Sequence, residues 1–255
     1  MPQYRYTLPL HAHVTNPFDR RYSDAFPMKP LEALQDAPVP DLRPYLGPVR
    51  DQNIPGFGEC ADESGAGAVD FLYRRYRDEE FTGSSLFLYE AVRTAMGTPQ
   101  QDSGSRLRVV QYVLQTLGTC DNALDPDVRQ DFLIPITPRM QESALAHRIR
   151  AGYWAPTLLE VLNALMAGYV VQIGLRLTAS FEDPGGLASG QIAAPQPGDP
   201  IVGGHALLSY APDFGAQRIR TRNSWGVIGS AGGDVDIPFA YFDAPWFLSA
   251  RVYAL

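Results

Sequence analysis

The stretch that decides the fold is Gln52-Asn53-Ile54-Pro55-Gly56-Phe57-Gly58-Glu59-Cys60-Ala61-Asp62-Glu63-Ser64. A loop rich in proline and glycine ends at a cysteine, and that cysteine opens a segment with helical periodicity that continues to about Tyr76. A thiol at a helix N-terminus faces unpaired backbone N–H groups and the positive end of the helix dipole, and both favour the thiolate. A small buried hydrophobic residue is the alternative role for an isolated cysteine. Residues farther along the chain bear on this choice.

Composition limits the class of protein. The chain has 255 residues, of which 45% are hydrophobic, and this predicts one large domain or two lobes that share a core. A net charge of −7 argues against nucleic acid or an anionic membrane as the main partner. Two cysteines are too few for a disulfide framework, and no stretch resembles a secretion signal or a membrane span. We therefore expect a soluble, cytoplasmic protein without a cofactor.

Residues 1–47 are rich in proline and aromatic residues and show no sustained periodicity, so we interpret them as an N-terminal arm or a short pro-like segment. One helical turn is expected at Leu31-Glu32-Ala33-Leu34. His11 and His13 form a His-x-His pair, but two histidines without further ligands favour ordinary side chains over a metal site. No metal site is predicted.

The next hundred residues are predicted to be mostly helical. In the helix that follows Cys60, Gly65 and Gly67 indicate that another backbone approaches closely, as in a central helix packed on several sides. Ser84 or Ser85 can cap a second helix, and a third apolar stripe ends at Gly118. Cys120 is interpreted as a packing residue. Residues 121–155 are predicted to form a connection interrupted by prolines, with His147 exposed to solvent.

The pattern then changes from helix to strand. Thr157 fits the start of a helix that runs to Gly168, after which apolar and polar residues alternate over residues 171–178. Strands return at residues 201–210 and 217–221, after a loop at residues 183–200. This arrangement predicts an α+β fold with two lobes.

Two motifs in the β half complete the set of reactive residues. Gly203-Gly204-His205-Ala206 is followed by Arg222-Asn223-Ser224-Trp225-Gly226, so that 145 residues separate Cys60 from His205 and 18 separate His205 from Asn223. Two lobes that meet along a cleft can bring such distant residues together. The Cys60–His205 interval is typical of papain-like enzymes, in which the histidine follows the cysteine by ~130–150 residues and an asparagine lies in the same part of the chain.

Over about residues 40–255 the chain resembles a papain-like (clan CA) cysteine peptidase of the bacterial or phage type. Further motifs carry the resemblance: Pro48-Val49-Arg50-Asp51-Gln52, Ser85-Leu86-Phe87-Leu88-Tyr89 and Asp102-Ser103-Gly104. No single motif is specific, whereas their shared order and spacing are. The resemblance implies a papain-like two-lobe fold, with a helical left lobe (about 48–140) and an antiparallel β-barrel-like right lobe (about 141–255). The active site would lie in the cleft between them, in a peptidase domain spanning 48–255.

The resemblance also implies a role for each matching position. Cys60 would be the nucleophile, activated as a thiolate by the imidazolium of His205, which would also protonate the leaving amine. Asn223 would orient the imidazole, and Gln52 would donate to the tetrahedral oxyanion. Trp225 would cover the His–Asn contact. Ser103, Gly104 and Gly204 would lie on the substrate-binding side, and the substrate would be a peptide or protein.

Several features keep a second function open. Glu59 stands where the family has a small residue, Ala61 replaces a bulky one, and the interval from Gln52 to Cys60 is longer by two residues. The motif after Asn-Ser-Trp-Gly is also altered, at Ile228-Gly229. A carboxylate beside the thiol should oppose thiolate formation. The alternative is therefore a catalytically weak or inactive papain-fold protein with a binding, phage or virion role. A small cell-wall amidase is disfavoured by the long Cys–His spacing and by the Asn-Ser-Trp motif. Substrate preference, source and oligomeric state are left open.

Overall fold

The structure, a computed structural model, describes residues 19–131, 134–227 and 232–255. The helices within these ranges are α1 (Tyr22–Ala25), α2 (Leu31–Gln35), α3 (Cys60–Arg77), α4 (Ser85–Ala95), α5 (Leu107–Thr116), α6 (Pro138–Ala146), α7 (Leu158–Met166) and α8 (Pro184–Ser189). Single 3₁₀ turns add Arg43–Tyr45, Ala179–Glu182 and Phe239–Phe242. The histidine pair His11 and His13 and the altered motif at Ile228-Gly229 lie outside the described residues.

The strands form one antiparallel sheet in the second half of the chain. They are β1 (Ala151–Trp154), β2 (Val171–Thr178), β3 (Ile201–Asp213), β4 (Arg218–Arg222), β5 (Asp234–Pro238) and β6 (Phe247–Ala254). Their order in the sheet is β1-β6-β2-β3-β4-β5, with every neighbouring pair antiparallel. The predicted α+β layout, with helices first and strands second, is confirmed. The barrel-like lobe is an open sheet, because β1 and β5 end it without pairing among the described strands.

Helix α3 is the central element, as predicted. Every residue from Cys60 to Tyr73 is buried, which places four helical turns inside the molecule. Basic residues occupy its last turn, where the negative end of the dipole favours them, and Asp78 ends it in the left-handed conformation (φ 52°). The glycines in α3 are surrounded by side chains and not by a second backbone: a Cβ at Gly65 would lie 2.6 Å from Val110 Cγ1.

The sheet separates two hydrophobic clusters. Leu207 of β3 packs with α7, β2 and β6, whereas its neighbours Ala206 and Leu208 pack with α3 and α5 on the other side. Strand β3 is therefore buried on both faces. The same holds for β2, where Gln172, expected on a polar face, is fully buried because α3 covers that face. Its amide donates to Ala61 O and Ser64 Oγ and thereby fastens α3 to the sheet.

Two expectations for residues 121–155 are wrong. Helix α6 and strand β1 lie in the stretch interpreted as a connection. Pro138 does not break α6 because it occupies the first turn, where its missing N–H costs nothing, and Thr137 caps the helix. His147, predicted to be solvated, has a side chain only 13% exposed; its ring stacks on Phe81 with centroids 3.8 Å apart.

The described part of the N-terminal arm packs along the β half. Tyr22 and Leu34 are buried in the cluster that contains α7. Asn163 of α7 forms a two-way hydrogen bond with the backbone of Lys29, at 2.8 and 3.0 Å, and Arg21 pairs with Glu160 at 2.8 Å. The single turn expected at residues 31–34 is present as α2. Within the described residues, none of the helices has the length and apolar character needed to cross a membrane.

Candidate active site

His205 and Asn223 are in direct contact in the interior. Nε2 of His205 lies 2.8 Å from Oδ1 of Asn223, and the same oxygen accepts the backbone N–H of Ser224 at 2.8 Å. Because a backbone N–H can only donate, the amide oxygen must face both groups, and His205 Nε2 must carry a proton. The ring nitrogen that can accept a proton is therefore Nδ1. His205 lies on β3 and Asn223 directly follows β4, so the sheet itself brings them together.

Trp225 lies against the His205 ring. The two ring centroids are 4.6 Å apart and the planes are inclined by 24°. Both side chains are buried, His205 being 3% and Trp225 8% exposed. The indole therefore excludes water from the imidazole.

Cys60 is the first residue of α3 and faces the strand that carries His205. Its sulfur lies near the backbone N–H groups of Ala206, the residue after His205, and of Ala61, and both groups favour the thiolate. The thiol thus sits at a helix N-terminus and next to β3, although 145 residues separate it from His205 in sequence. The second cysteine, Cys120, is buried among Phe87, Met140 and Ala144, as its predicted packing role requires.

Burial opposes charge on both members of the candidate pair. It raises the pKa of Cys60 to about 12, against the smaller effect of the Ala206 and Ala61 N–H groups, and nearby Asp62 and Glu59 add to the increase. It lowers the pKa of His205 to about 4, although the hydrogen bond to Asn223 acts the other way. In this structure both the Cys60 thiol and the His205 imidazole are therefore neutral at pH 7. A resting thiolate–imidazolium pair is therefore disfavoured without substrate.

Glu59, the unusual residue before the cysteine, does not point to solvent. Its side chain is fully buried, and neither carboxyl oxygen makes a well-formed hydrogen bond to a described residue. Burial, reinforced by Glu63 and Asp127, raises the pKa of Glu59 well above its usual value, and the nearby Ser85 hydroxyl opposes this rise only weakly. The raised pKa favours the neutral acid, which reduces the negative charge that Glu59 places beside Cys60. Asp62 in the same turn behaves similarly, since burial raises its pKa to about 8.

Gln52 is held in place despite the lengthened loop. Its backbone N–H donates to Ser224 O at 3.0 Å, and Ser224 Oγ donates to its side-chain Oε1 at 2.7 Å. Asp51 forms an antiparallel bridge with Trp225, which adds a second tie to the same segment. The residues before the cysteine loop are therefore fastened to the segment that follows Asn223.

The loop between Gln52 and Cys60 has an anchor that sequence reasoning missed. Asp102 Oδ1 accepts the backbone N–H of Gly58 at 2.9 Å and the hydroxyl of Tyr89 at 2.6 Å. Asp102 and Tyr89 both belong to motifs recognised in the sequence, but the contact itself joins three segments that are distant along the chain. Asp102 thereby fixes the loop two residues before the cysteine.

The residues predicted to bind substrate, Ser103, Gly104 and Gly204, differ in their burial and in their contacts. Gly104, at φ +72°, is buried; its N–H donates to Tyr89 Oη at 3.2 Å and its carbonyl accepts from Arg93. Ser103 Oγ accepts from the same arginine at 2.5 Å. Both backbone groups of Gly104 are thus already engaged inside the protein. Gly204 is half-buried on β3, next to His205.

Arg50 forms ion pairs with carboxylates of α3, a role that the sequence did not predict. Its guanidinium contacts Asp70 at 2.8 Å and Asp127 at 2.5 Å, and lies 3.6 Å from Glu63. Burial alone would lower the pKa of Arg50, but these carboxylates raise it overall, so the residue stays charged. Among the described residues no group of three or more His, Cys, Asp or Glu side chains is arranged to hold a metal ion.

Comparison with known proteins defines the class of fold. No family model matches the chain. Among solved structures, xylellain, a cysteine protease from Xylella fastidiosa, superposes with a TM-score of 0.83 at 24% identity, covering 97% of this chain and 96% of that one. Digestive procathepsin L 3 of Tenebrio molitor gives 0.68 at 17% identity (86% and 71% covered). The bromelain protease of Ananas comosus, in complex with the inhibitor E64, gives 0.65 at 14% identity (86% and 100% covered).

The fold is therefore that of the papain-like cysteine proteases, as the motifs predict. Among curated proteins, the chain is 23% identical over 197 residues to an uncharacterized peptidase C1-like protein, L477, of Acanthamoeba polyphaga mimivirus. That match covers 72% of this chain but only 62% of the viral protein, so the chain spans less than two thirds of this relative.

Proposed function

We propose that the protein is a cysteine endopeptidase that hydrolyses peptide or isopeptide bonds through Cys60, His205 and Asn223. The observation that carries the proposal is one continuous arrangement: the sulfur of Cys60 contacts the backbone beside His205, and His205 is bonded to Asn223 at 2.8 Å. The papain-like fold supports it, since the similar solved structures include cysteine proteases. Cys120, the other thiol, has no such surroundings.

The reaction follows from the protonation states of the resting site. As substrate binds, Nδ1 of neutral His205 takes the proton of the Cys60 thiol, and the sulfur attacks the scissile carbonyl carbon to form a tetrahedral oxyanion. The oxyanion collapses to a thioester while the imidazolium protonates the leaving amine. A water molecule then attacks the thioester, with His205 again accepting its proton, and the carboxylic acid product leaves the regenerated thiol.

The other residues act by position. Asn223 accepts the Nε2 proton of His205 and holds the ring so that Nδ1 stays directed to the thiol. Gln52 donates its side-chain N–H, together with the backbone N–H of Cys60, to the oxyanion, and a donor of this kind contributes roughly 3 kcal/mol. Ser224 occupies the other end of the Gln52 amide and thereby directs the N–H end.

The direct test measures hydrolysis of a denatured protein and of quenched fluorescent peptides by wild type, Cys60→Ala and Cys120→Ala. We expect hydrolysis by the wild type and by Cys120→Ala, and none by Cys60→Ala. The Cys120 variant is a matched control because it also removes a buried thiol. Peptide binding without hydrolysis by the wild type would contradict the proposal and favour the alternative of a papain-fold binding or virion protein.

We further propose that residues 19–47, the described part of the N-terminal arm, brace the peptidase domain, residues 48–255, instead of acting as a removable inhibitor. The amide pair between Asn163 and Lys29 and the burial of Tyr22 and Leu34 support this role, because removing the arm would expose these groups. A cytoplasmic location, or a virion location for a phage protein, remains our prediction, as does a peptide or protein substrate without nucleic-acid or membrane partners.

A further inference from the structure

A small cavity lies beside the candidate site, between the first turns of α3 and strands β3 and β4. Its volume is about 20 Å³, and polar side chains of Arg50, Glu63 and Asn223 contribute to its lining together with apolar residues of β3. A cavity of this size accommodates a single water molecule, provided that polar groups can bond it.

The polar residues around the cavity carry atoms without hydrogen-bond partners among the described residues. Asn223 Nδ2, both carboxyl oxygens of Glu63 and Arg50 Nε make no hydrogen bond to any described residue. The three residues are deeply buried, with 2%, 1% and 8% of their surfaces exposed, respectively. Buried polar atoms are nearly always hydrogen-bonded in folded proteins, because leaving one unpaired is costly. Several such atoms around one small cavity therefore indicate a shared partner.

The orientation of Asn223 is already determined from its other end. Oδ1 accepts from Ser224 N–H and His205 Nε2, so Nδ2 must lie on the opposite side of the amide and can only donate. The carboxyl group of Glu63 can accept such a donation through an intervening water. Burial, opposed by Arg50 and reinforced by Asp127, Asp62 and Asp51, raises the pKa of Glu63 well above its usual value. In either protonation state its carboxyl group offers oxygens that can accept a hydrogen bond from a water molecule.

We propose that this cavity binds one water molecule, which accepts a hydrogen bond from Asn223 Nδ2 and donates one to Glu63, so that Glu63 is a positioning residue for the Asn223 amide. Glu63 lies three residues after Cys60 on α3, whereas Asn223 follows β4. The water therefore joins the helix that carries the thiol to the amide that orients the imidazole. The effect of this water on catalysis rests on the proposed function, whereas its effect on the position of the Asn223 amide does not.

The first test uses the protein without any assay of hydrolysis. The titration of the His205 imidazole is followed by NMR in wild type, Glu63→Gln, Glu63→Leu and Glu59→Gln. The amide introduced by Glu63→Gln can still accept from the water, so the titration in this variant should match the wild type. In Glu63→Leu the Asn223 amide loses its support and the hydrogen bond that raises the pKa of His205 weakens, so the midpoint should fall by roughly 0.5 pH.

Glu59→Gln is the matched control. Glu59 is also a buried carboxyl group and lies four residues before Glu63, but it does not line the cavity. Its His205 midpoint should stay within the wild-type error. An unchanged midpoint in Glu63→Leu, or the same shift in Glu59→Gln, would overturn the positioning role. Should Glu63→Leu not fold, a high-resolution crystal structure of the wild type decides: a water within hydrogen-bond distance of both Asn223 Nδ2 and Glu63 supports the proposal, and a dry cavity overturns it.

The kinetic test is a double-mutant cycle. Glu63→Leu should lower kcat about tenfold with little change in KM, whereas in an Asn223→Ala background it should lower kcat no further, because residues that act through one another are not additive. An equal loss in both backgrounds would show that Glu63 acts independently of Asn223. A protein with no hydrolysis at all would fail this cycle but would leave the NMR and crystallographic outcomes intact, which separates failure of this proposal from failure of the proposed function.

Discussion

The indole of Trp225 lies nearly parallel to the imidazole of His205, with ring centroids 4.6 Å apart. Burial lowers the pKa of His205 to about 4, and this contact contributes to that burial because it keeps water from the charged form. A histidine that stays neutral down to this pH can act as a base across the neutral range. Below it the protonated ring can no longer take the thiol proton.

The acid limb of kcat/KM should therefore have its midpoint near pH 4, below the ordinary histidine value, and Trp225→Ala should move it upward. Opening the ring to water reduces the desolvation that lowers the pKa, so the midpoint should approach the ordinary value of about 6.5. Trp246→Ala is the control, because Trp246 packs against the same β-side cluster. An unmoved limb in Trp225→Ala would show that the indole does not set this pKa.

Glu59→Gln should stabilise the protein at alkaline pH relative to acid pH. The pKa of Glu59 is raised in the folded state, so the unfolded chain loses this proton first and the folded state is penalised as pH rises above about 4.5. Glutamine cannot ionise, so the benefit grows between pH 5 and pH 8, at no more than roughly 1.36 kcal/mol per pH unit. Urea unfolding at both pH values measures it.

The quantity to compare is the change in the effect of Glu59→Gln between the two pH values, since any cost of burying an amide is the same at both. Glu142→Gln, at an exposed position, serves as the control and should show no such dependence. A Glu59 variant whose effect is equal at pH 5 and pH 8 would mean that the carboxyl is ionised in the folded protein.

Gln52→Ala should lower kcat by roughly 10²–10³-fold with little change in KM, because an oxyanion donor acts mainly in the transition state. Ser224→Ala should give a smaller loss in the same direction, since it removes only the hydroxyl that holds Gln52 Oε1. Asn53→Ala, which alters a neighbouring loop amide bonded to Asp51, is the control. Steady-state kinetics that place the whole Gln52 effect in KM would point to substrate binding instead.

Asp102→Ala should lower both stability and kcat, because it removes the acceptor for Gly58 N–H and Tyr89 OH. Two lost hydrogen bonds correspond to about 2 kcal/mol of unfolding free energy, and a looser loop positions Cys60 less well. Tyr89→Phe should have a smaller effect on kcat, since Gly58 keeps its partner. Denaturant unfolding and kinetics of both variants, with exposed Asp36→Ala as control, measure the difference. Loss of stability without any change in kcat would assign Asp102 to the fold alone.

Local patterns were sufficient to predict the central helix and the change from helices to strands, whereas the papain-like fold was implied by the resemblance of the motifs to a known family. Helical periodicity identifies α3 because its stripe lies next to a recognisable start at Cys60. Strand alternation identifies β2 but mistakes its environment: a period of two cannot show that α3 covers the polar face, so the burial of Gln172 follows only from tertiary packing. The prolines of residues 121–155 predict a connection instead of α6. A proline directly after a capping threonine is also typical of a helix start, as Thr137-Pro138 shows.

The order and spacing of Cys60, His205 and Asn223 were visible in the sequence, but the contacts that support them were not. Arg50 meets its carboxylate partners at separations of 20 and 77 residues, and Asp102 meets Gly58 at 44. No periodicity connects such residues. The buried state of Glu59 is a similar case, since a loop carboxylate is normally exposed and only the packing around α3 buries this one and raises its pKa.

The most direct measurement is the stoichiometry of labelling by an epoxide inhibitor of cysteine proteases at about neutral pH, read by mass spectrometry of the Cys60 and Cys120 peptides in wild type and His205→Ala. We predict one label per chain on Cys60 in the wild type, a loss of at least about 100-fold in labelling rate in His205→Ala, and no label on Cys120. No label on Cys60, or equal labelling without the imidazole, would contradict a nucleophile activated by His205.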